Sequence, residues 1–290
     1  MHRSRLAARS LLLPAVIILL ALSIFPLLFS LALSFGDWSL GRGVAYEWRG
    51  LSNYIALFGD SRFRMAATNT GVYVVISVAV QYVLGVGLAW LLWLKPPGGR
   101  VFQVLFILPM MLAPVAVGYM WRLMFQSRIG AVNHFLGLLG IDPVLWLSSR
   151  PTAMFVILLT EIWQWTPFIF LFIYAALLNV PRDRVEAALV DGATGWQVFR
   201  HIVFPMLLPV SIAVIMLRTV EALKILDTVF VITQGGPGNS TESLTLYAYN
   251  AGLQYFNLGF ASAISFTLLV AVVAVAIPIV IFVKKDVEQT

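Results

Sequence analysis

An all-α integral membrane protein with six transmembrane helices is the fold class this sequence predicts. Three observations carry the prediction. Hydrophobic residues make up 60% of the 290-residue chain and charged residues only 11%, against about 25% charged in a soluble domain. The apolar residues gather into six stretches, each near the roughly 20 residues that a membrane-crossing helix needs. The basic residues sit mainly at the ends of these stretches, where membrane topology asks for them. The net charge of +6 therefore points to orientation in a membrane and not to nucleic acid.

The six predicted spans are residues 10–35, 68–94, 101–126, 152–178, 205–232 and 260–283. The first follows Arg3, Arg5 and Arg9, but its apolar run exceeds the 7–15 residues or so of a secretory signal. It is expected to stay as a span after a short tail, residues 1–9. The long loop 36–67 carries Trp38 and Trp48 as interface anchors, and 127–150 and 233–259 form two further loops. The fifth span is the weakest, because charges interrupt it after Leu217.

Lysine and arginine set the orientation. With the N-terminus in the cytoplasm, Arg3, Arg5, Arg9, Lys95, Arg100, Arg182, Arg184, Arg200, Lys284 and Lys285 lie inside. Arg42, Arg49, Arg62, Arg64, Arg128 and Arg150 lie outside. The bias puts both termini, including the tail 284–290, and the segment 179–203 on the cytoplasmic face. A membrane crossed several times is the expected location.

Several function classes drop out. The chain has no cysteine, hence no thiolate nucleophile and no cysteine metal site. His2, His134 and His201 are scattered, so neither a metal centre nor a catalytic cluster is expected. The turn Gln234–Thr241, "QGGPGNST", lacks the Gly-Lys-Ser/Thr of a phosphate-binding loop, and no such loop occurs elsewhere. ATP is not expected to bind this chain by that route.

The polar segment 181–204 stands out between apolar stretches. Pro181 suits the first position of a helix, and Asp183 places negative charge in its first turn. Val185, Ala188 and Leu189 recur at helical spacing as a short apolar face. Gly192 suits a left-handed helix stop, and Thr194 with Gln197 forms a capping box for a second helix. Trp196, Phe199 and Val203 then fall on one side. The pattern is helix, tight bend, helix, lying beside the membrane, with Pro205 and Pro209 turning the chain into the next span. Such a hairpin serves either as a connector that covers lipid headgroups or as a docking element for a cytoplasmic partner.

The spans also hold three basic residues, Arg122, Arg218 and Lys224, and three acidic ones, Glu161, Glu221 and Asp227. A charge in mid-bilayer needs a partner or water, since it costs about 2.5–3.5 kcal/mol on insertion scales. Arg218, Glu221, Lys224 and Asp227 alternate in sign every third residue, which predicts pairing along one helix face. Either the six charges pair and hold helices together, or some of them line a polar path with Gln164 and Trp165. Trp163 and Trp165 are two positions apart on a helix, so at most one faces a solute.

A string within the hairpin resembles a known family. Glu186-Ala187-Ala188, Asp191-Gly192-Ala193, Phe199, Ile202, Pro205 and Pro209 look like the EAA motif of permease subunits in binding-protein-dependent ABC importers. The stretches 50–70, "EIWQWTPF" (Glu161–Phe168), "FVITQGGPGNST" (Phe230–Thr241) and "GFASAISF" (Gly259–Phe266) are similar to the maltose-type, multiple-sugar branch.

That resemblance implies a type I importer permease fold with its transmembrane domain over 68–283, and a cytoplasmic coupling helix. It implies docking on a separate ATPase through Glu186, Ala187, Ala188, Asp191 and Gly192. It implies a second homologous permease, two ATPase subunits that bind ATP and Mg, an extracytoplasmic substrate-binding protein, and the surrounding lipid of a bacterial or archaeal plasma (inner) membrane. The expected cargo is a carbohydrate passed by alternating access along Glu161, Gln164, Trp165, Arg218, Glu221, Lys224 and Asp227. No catalytic residue and no cofactor is expected in this chain. The competing class, an ion-coupled secondary transporter or channel, calls for inverted repeats and broken helices around a midplane site. The sequence reading finds neither.

Overall fold

The structure, a computed structural model, describes residues 14, 16–39 and 46–287. The expected tail 1–9 with its arginines, Arg42, and the side chains of Lys284 and Lys285 lie outside what is described. Five helices among the described residues are long and apolar enough to cross a membrane, and a sharply bent pair brings the number to six where its two halves are counted as one span. The chain divides into two compact units.

One unit holds the chain up to Arg64 together with Tyr247–Leu269. Its apolar helix α1 (Val16–Ser34) leads into a two-stranded antiparallel ribbon, β1 (Gly36–Asp37) and β2 (Glu47–Trp48), with Gly36 opposite Trp48. The two expected anchors pack on the end of α1: Trp38 meets Phe29 edge-on, and Trp48 stacks on Phe35 at 5.5 Å. Arg49 pairs with Asp37 and Glu47. Helix α2 (Ser52–Gly59) follows, and its Asn53 donates to the carbonyls of Ser34 and Gly36.

The second unit, Met65–Leu246 with the chain from Val270 onward, contains the hairpin and the intramembrane charges. Helix α3 (Ser61–Trp93) enters it and supplies one wall. The expected third span, 101–126, is broken. Helix α4 (Gly99–Met111) stops and α5 (Pro114–Met124) departs from it at 97°. Pro109 and Pro114 explain the break: each lacks an N–H, and Pro114 drives Ala113 to an extended ψ of 130°.

Helix α6 (Ala131–Leu138) precedes α7 (Arg150–Leu178), which crosses without interruption despite Pro167 inside it. Thr160 and Thr166 bond back to the carbonyls of Val156 and Ile162 and so use their hydroxyls locally.

Helix α8 (Arg182–Val190) opens the hairpin. Helix α9 (Gly195–Ala222) then runs directly from the bend into the membrane, with a π-helical turn at Phe199–Val203 just before Pro205. The second hairpin helix is thus the start of the fifth crossing and does not lie separately beside the membrane. The expected span 205–232 is corrected as well. The helix ends at Ala222, and α10 (Asp227–Ile232) begins after an irregular stretch. The alternating charges therefore do not share one helix face.

This second break is held from far along the chain. Ser243 Oγ donates to the Ile225 carbonyl at 2.7 Å, and Thr245 Oγ1 donates to the same oxygen. Helices α5 and α10 pack closely: a Cβ on Gly118 would meet Val231 at 3.0 Å. Arg122 closes the contact by donating to the Val231 carbonyl at 2.9 Å.

The turn Gln234–Thr241 is fixed in place by buried polar bonds. Asn69 donates to the carbonyls of Ser240 and Glu242, Tyr73 donates to that of Thr241, and Arg150 donates to the Asn69 side-chain oxygen. Helix α11 (Leu244–Tyr249) and the long α12 (Leu258–Val287) complete the chain.

Candidate functional site

Two features could serve function: the hairpin 181–204 and a polar cavity among the broken helices. The hairpin forms for local reasons. Pro181, expected as the first helical residue, is instead the N-cap of α8, which begins at Arg182, and Asp183 lies in the first turn. At the other end Gly192 takes φ +85°, open to glycine at no steric cost. Ala193 N–H bonds to the Ala188 carbonyl and Gly192 N–H to that of Leu189, which is the Schellman closure of a helix end. Thr194 and Gln197 then form the expected reciprocal capping box.

The inner face of this hairpin belongs to the core. Val185 and Val198 are buried in one cluster with Ala89 and Leu92 of α3 and Ile173 and Leu177 of α7; Ala188 and Ala193 pack against it. Phe199 lies 4.9 Å from Trp90, which in turn stacks on Trp93. The bend is therefore bolted to two spans.

Its outer face is open. Glu186, Ala187, Asp191 and Gly192 are exposed. So are Leu189, Val190 at 88% and Trp196 at 67%. Two of the sequence expectations change here. Leu189 does not join the buried face, and Ala188 is directed into the chain's own packing. Trp196 stacks on Phe199 at 5.5 Å, on one side as expected, but stays exposed while Val203 is buried; Val190 is a further large apolar group left outside, which the sequence reading did not single out.

The cavity has a volume of about 210 Å³ and is lined by Pro114, Glu161, Trp165, Arg218, Glu221, Lys224, Ile225, Leu226, Asp227 and Thr228. Six of the seven sequence-expected path residues thus meet around one space. They arrive from α7, α9, α10 and the irregular stretch between the last two, Pro114 of α5 completes the wall, and both helix breaks open onto it.

Gln164 does not line the cavity. It is fully buried, and its Nε2 donates to the Leu112 carbonyl at 3.1 Å, beside the break between α4 and α5. A carbonyl freed by that break thereby gains a partner, as a backbone group inside a membrane requires.

The charges divide by environment. Arg218 and Glu161 form a buried ion pair, 2% and 4% exposed. Gln81, which the sequence did not single out, joins them: it accepts from Arg218 Nε at 2.9 Å and donates to the Glu161 carbonyl at 2.9 Å. Thr228 Oγ1 donates to the second Glu161 oxygen at 3.4 Å. The Arg218 guanidinium also lies 5.2 Å from the centre of the Trp165 ring, in cation–π range.

Lys224 and Glu221 pair at 2.8 Å but remain half exposed. Asp227 opens α10 and is in no ion pair among the described residues. Trp163 points elsewhere, 5.8 Å from Trp121 and into apolar packing. Of the two tryptophans only Trp165 reaches the cavity. Among the described residues no group of histidine, aspartate or glutamate could hold a metal ion.

Fold and site together define a membrane-spanning transport subunit, with an exposed hairpin and a polar cavity between broken helices. Residues 81–285 match the binding-protein-dependent transport system inner membrane component family, and the chain belongs to it.

It is 37% identical over 268 residues to the probable ABC transporter permease protein y4oQ of Sinorhizobium fredii, covering 92% of this chain and 86% of that one. It is 35% identical over 231 residues to the trehalose/maltose transport system permease protein MalF of Thermococcus litoralis, covering 79% and 77%. A chain in the crystal structure of a bacterial alginate ABC transporter, in complex with an alginate pentasaccharide-bound periplasmic protein, superposes with a TM-score of 0.84. That match covers 96% of this chain and 93% of the other at 20% identity, a likeness of fold.

The chain is accordingly a multi-pass inner-membrane permease subunit of an ABC importer, with the type I fold, and ATP hydrolysis belongs to separate subunits. Broken helices, which the sequence reading did not find, are present. They do not revive the ion-coupled alternative, because the family is that of ATP-driven importers.

Proposed function

We propose that this permease carries a carbohydrate, a neutral sugar or oligosaccharide, into the cytoplasm by alternating access. The observation that carries the reading is the cavity itself, where the half-buried Trp165 ring stands beside Glu221, Lys224 and Asp227. An aromatic face takes the apolar side of a sugar ring, while carboxylates and an ammonium bond its hydroxyls. The relative named for trehalose and maltose supports the same class of cargo. In this reading Glu161 and Arg218 stiffen the cavity wall, and Gln164 steadies the bend behind it.

The hairpin acts as the lever. Glu186, Ala187, Asp191 and Gly192 offer the docking face for an ATPase subunit, and Ala188 seats the lever on the body. Two ATPases hold the ATP and Mg, so this chain needs no cofactor. A second homologous permease completes the path. An extracytoplasmic binding protein delivers cargo to the loops around Gly235–Thr241, and both termini face the cytoplasm.

The test is uptake by the complete complex in proteoliposomes, with its binding protein and labelled trehalose and maltose among a panel of neutral sugars. Uptake of a neutral sugar, reduced about tenfold or more by Trp165→Ala in a fully assembled complex, is the expected result. Wild-type uptake by that variant would remove Trp165 from the path. Failure to move any sugar in the panel would remove the cargo class.

A further inference from the structure

We propose that the cavity selects against anionic solutes and that Asp227 sets this selection. The inference rests on the reading of the cavity as the translocation path. In the sequence the six intramembrane charges cancel: Arg122, Arg218 and Lys224 against Glu161, Glu221 and Asp227. The structure removes one of them from the balance. Arg122 does not line the cavity; its guanidinium donates to the Val231 carbonyl at the far end of α10. Five charges remain on the wall, two positive and three negative.

Four of the five are matched. Arg218 is bound by Glu161, Gln81 and the Trp165 ring, and Lys224 by Glu221. Asp227 is left as the uncompensated group, exposed to the cavity and without an ion pair among the described residues. Its place at the start of α10 explains why a carboxylate is tolerated there, since a helix N-terminus favours negative charge. It does not serve as the cap: the N-cap is Leu226, and no side chain caps the helix.

A low-dielectric wall concentrates the field of a single charge into the space it encloses. An anionic sugar entering this cavity meets repulsion from Asp227 with no free cation to offset it. A neutral polyol donates hydroxyl hydrogens to the carboxylate, and an amino sugar gains charge attraction. The cavity therefore suits neutral or cationic polyhydroxylated solutes.

The native chain has no cysteine, so one introduced thiol reports on the cavity alone. Leu226, on the cavity wall beside Asp227, is replaced by Cys in the assembled importer in lipid nanodiscs. Labelling rates with cationic, anionic and neutral methanethiosulfonates are read by mass spectrometry of this chain and scaled to a free thiol. Leu226→Cys should favour the cationic reagent. Adding Asp227→Asn should shift the cation-to-anion ratio about tenfold toward the anion, the size expected of one unit charge some 6 Å away in a wet cavity. Lys224→Gln should shift it the opposite way, which a merely loosened fold would not do.

Trp165→Cys, half-buried on the same wall, serves as reporter if Leu226→Cys does not assemble. A ratio that Asp227→Asn leaves unchanged, with neutral labelling intact, overturns the selection while leaving the cavity reading standing. Absence of labelling by all three reagents overturns both, because the space is then closed to water.

Discussion

The bonds that shape the hairpin close within six residues, as from Ala193 to Ala188 and between Thr194 and Gln197. The buried network that holds the cavity wall instead joins Gln81, Glu161, Arg218 and Thr228, up to 137 residues apart in a single bond. One region is a stiff local device seated on a core; the other exists only because four helices and two breaks meet. Stability should depend on the second far more than on the first, and coupling on the first far more than on the second.

The largest stability effect belongs to the buried pair. Arg218→Met leaves the Glu161 carboxylate unpaired among buried groups, and the assembled complex should lose about 3–5 kcal/mol, read from its unfolding midpoint in detergent. Adding Glu161→Leu should restore most of that loss, since a buried pair replaced by apolar groups is often neutral. If the double variant is no better than the single one, the pair is not the unit described.

At Gly192 the effect is smaller and comes from the backbone alone. A Cβ there would meet nothing within 4 Å, but φ is +85°. Gly192→Val should cost about 1–2 kcal/mol and uncouple hydrolysis from uptake, while Gly192→Asn, a residue that enters this region more readily, should cost less. Equal behaviour of the two in a coupled ATPase–uptake assay would mean that the bend angle is not what matters. The smallest effect is expected at Lys224→Gln. Its partner Glu221 is half exposed, so thermal stability should change by no more than about 0.5 kcal/mol. A large loss would merge the two ion pairs into one structural network.

The same contrast explains what could be read in the sequence. Gly192, Thr194 and Gln197 declare the hairpin, because helix stops and caps are local chemistry. The first break was also legible in principle, since Pro109 and Pro114 stand in the third span. The second break carries no such mark. No glycine or proline lies between Arg218 and Asp227, and the break is held by Ser243 and Thr245, about twenty residues on. Extending the helix past Ala222 therefore put the alternating charges on one face, where they are not. Gln81 stayed hidden for a related reason: one amide in an apolar span acquires meaning only beside Arg218 and Glu161.

The central claim is that a rigid hairpin docks on the motor while the cavity conducts, and Glu186→Lys tests it most directly. Glu186 is exposed on the outer face of the hairpin and outside the buried cluster, so the reversed charge should leave the fold of this permease and its pairing with the proposed second one intact. The measurement is ATP-driven uptake of the identified sugar in proteoliposomes, with assembly of the membrane part checked by mass spectrometry on the same preparation. The account predicts intact permeases and uptake lowered to background. Wild-type uptake by the assembled variant would contradict it.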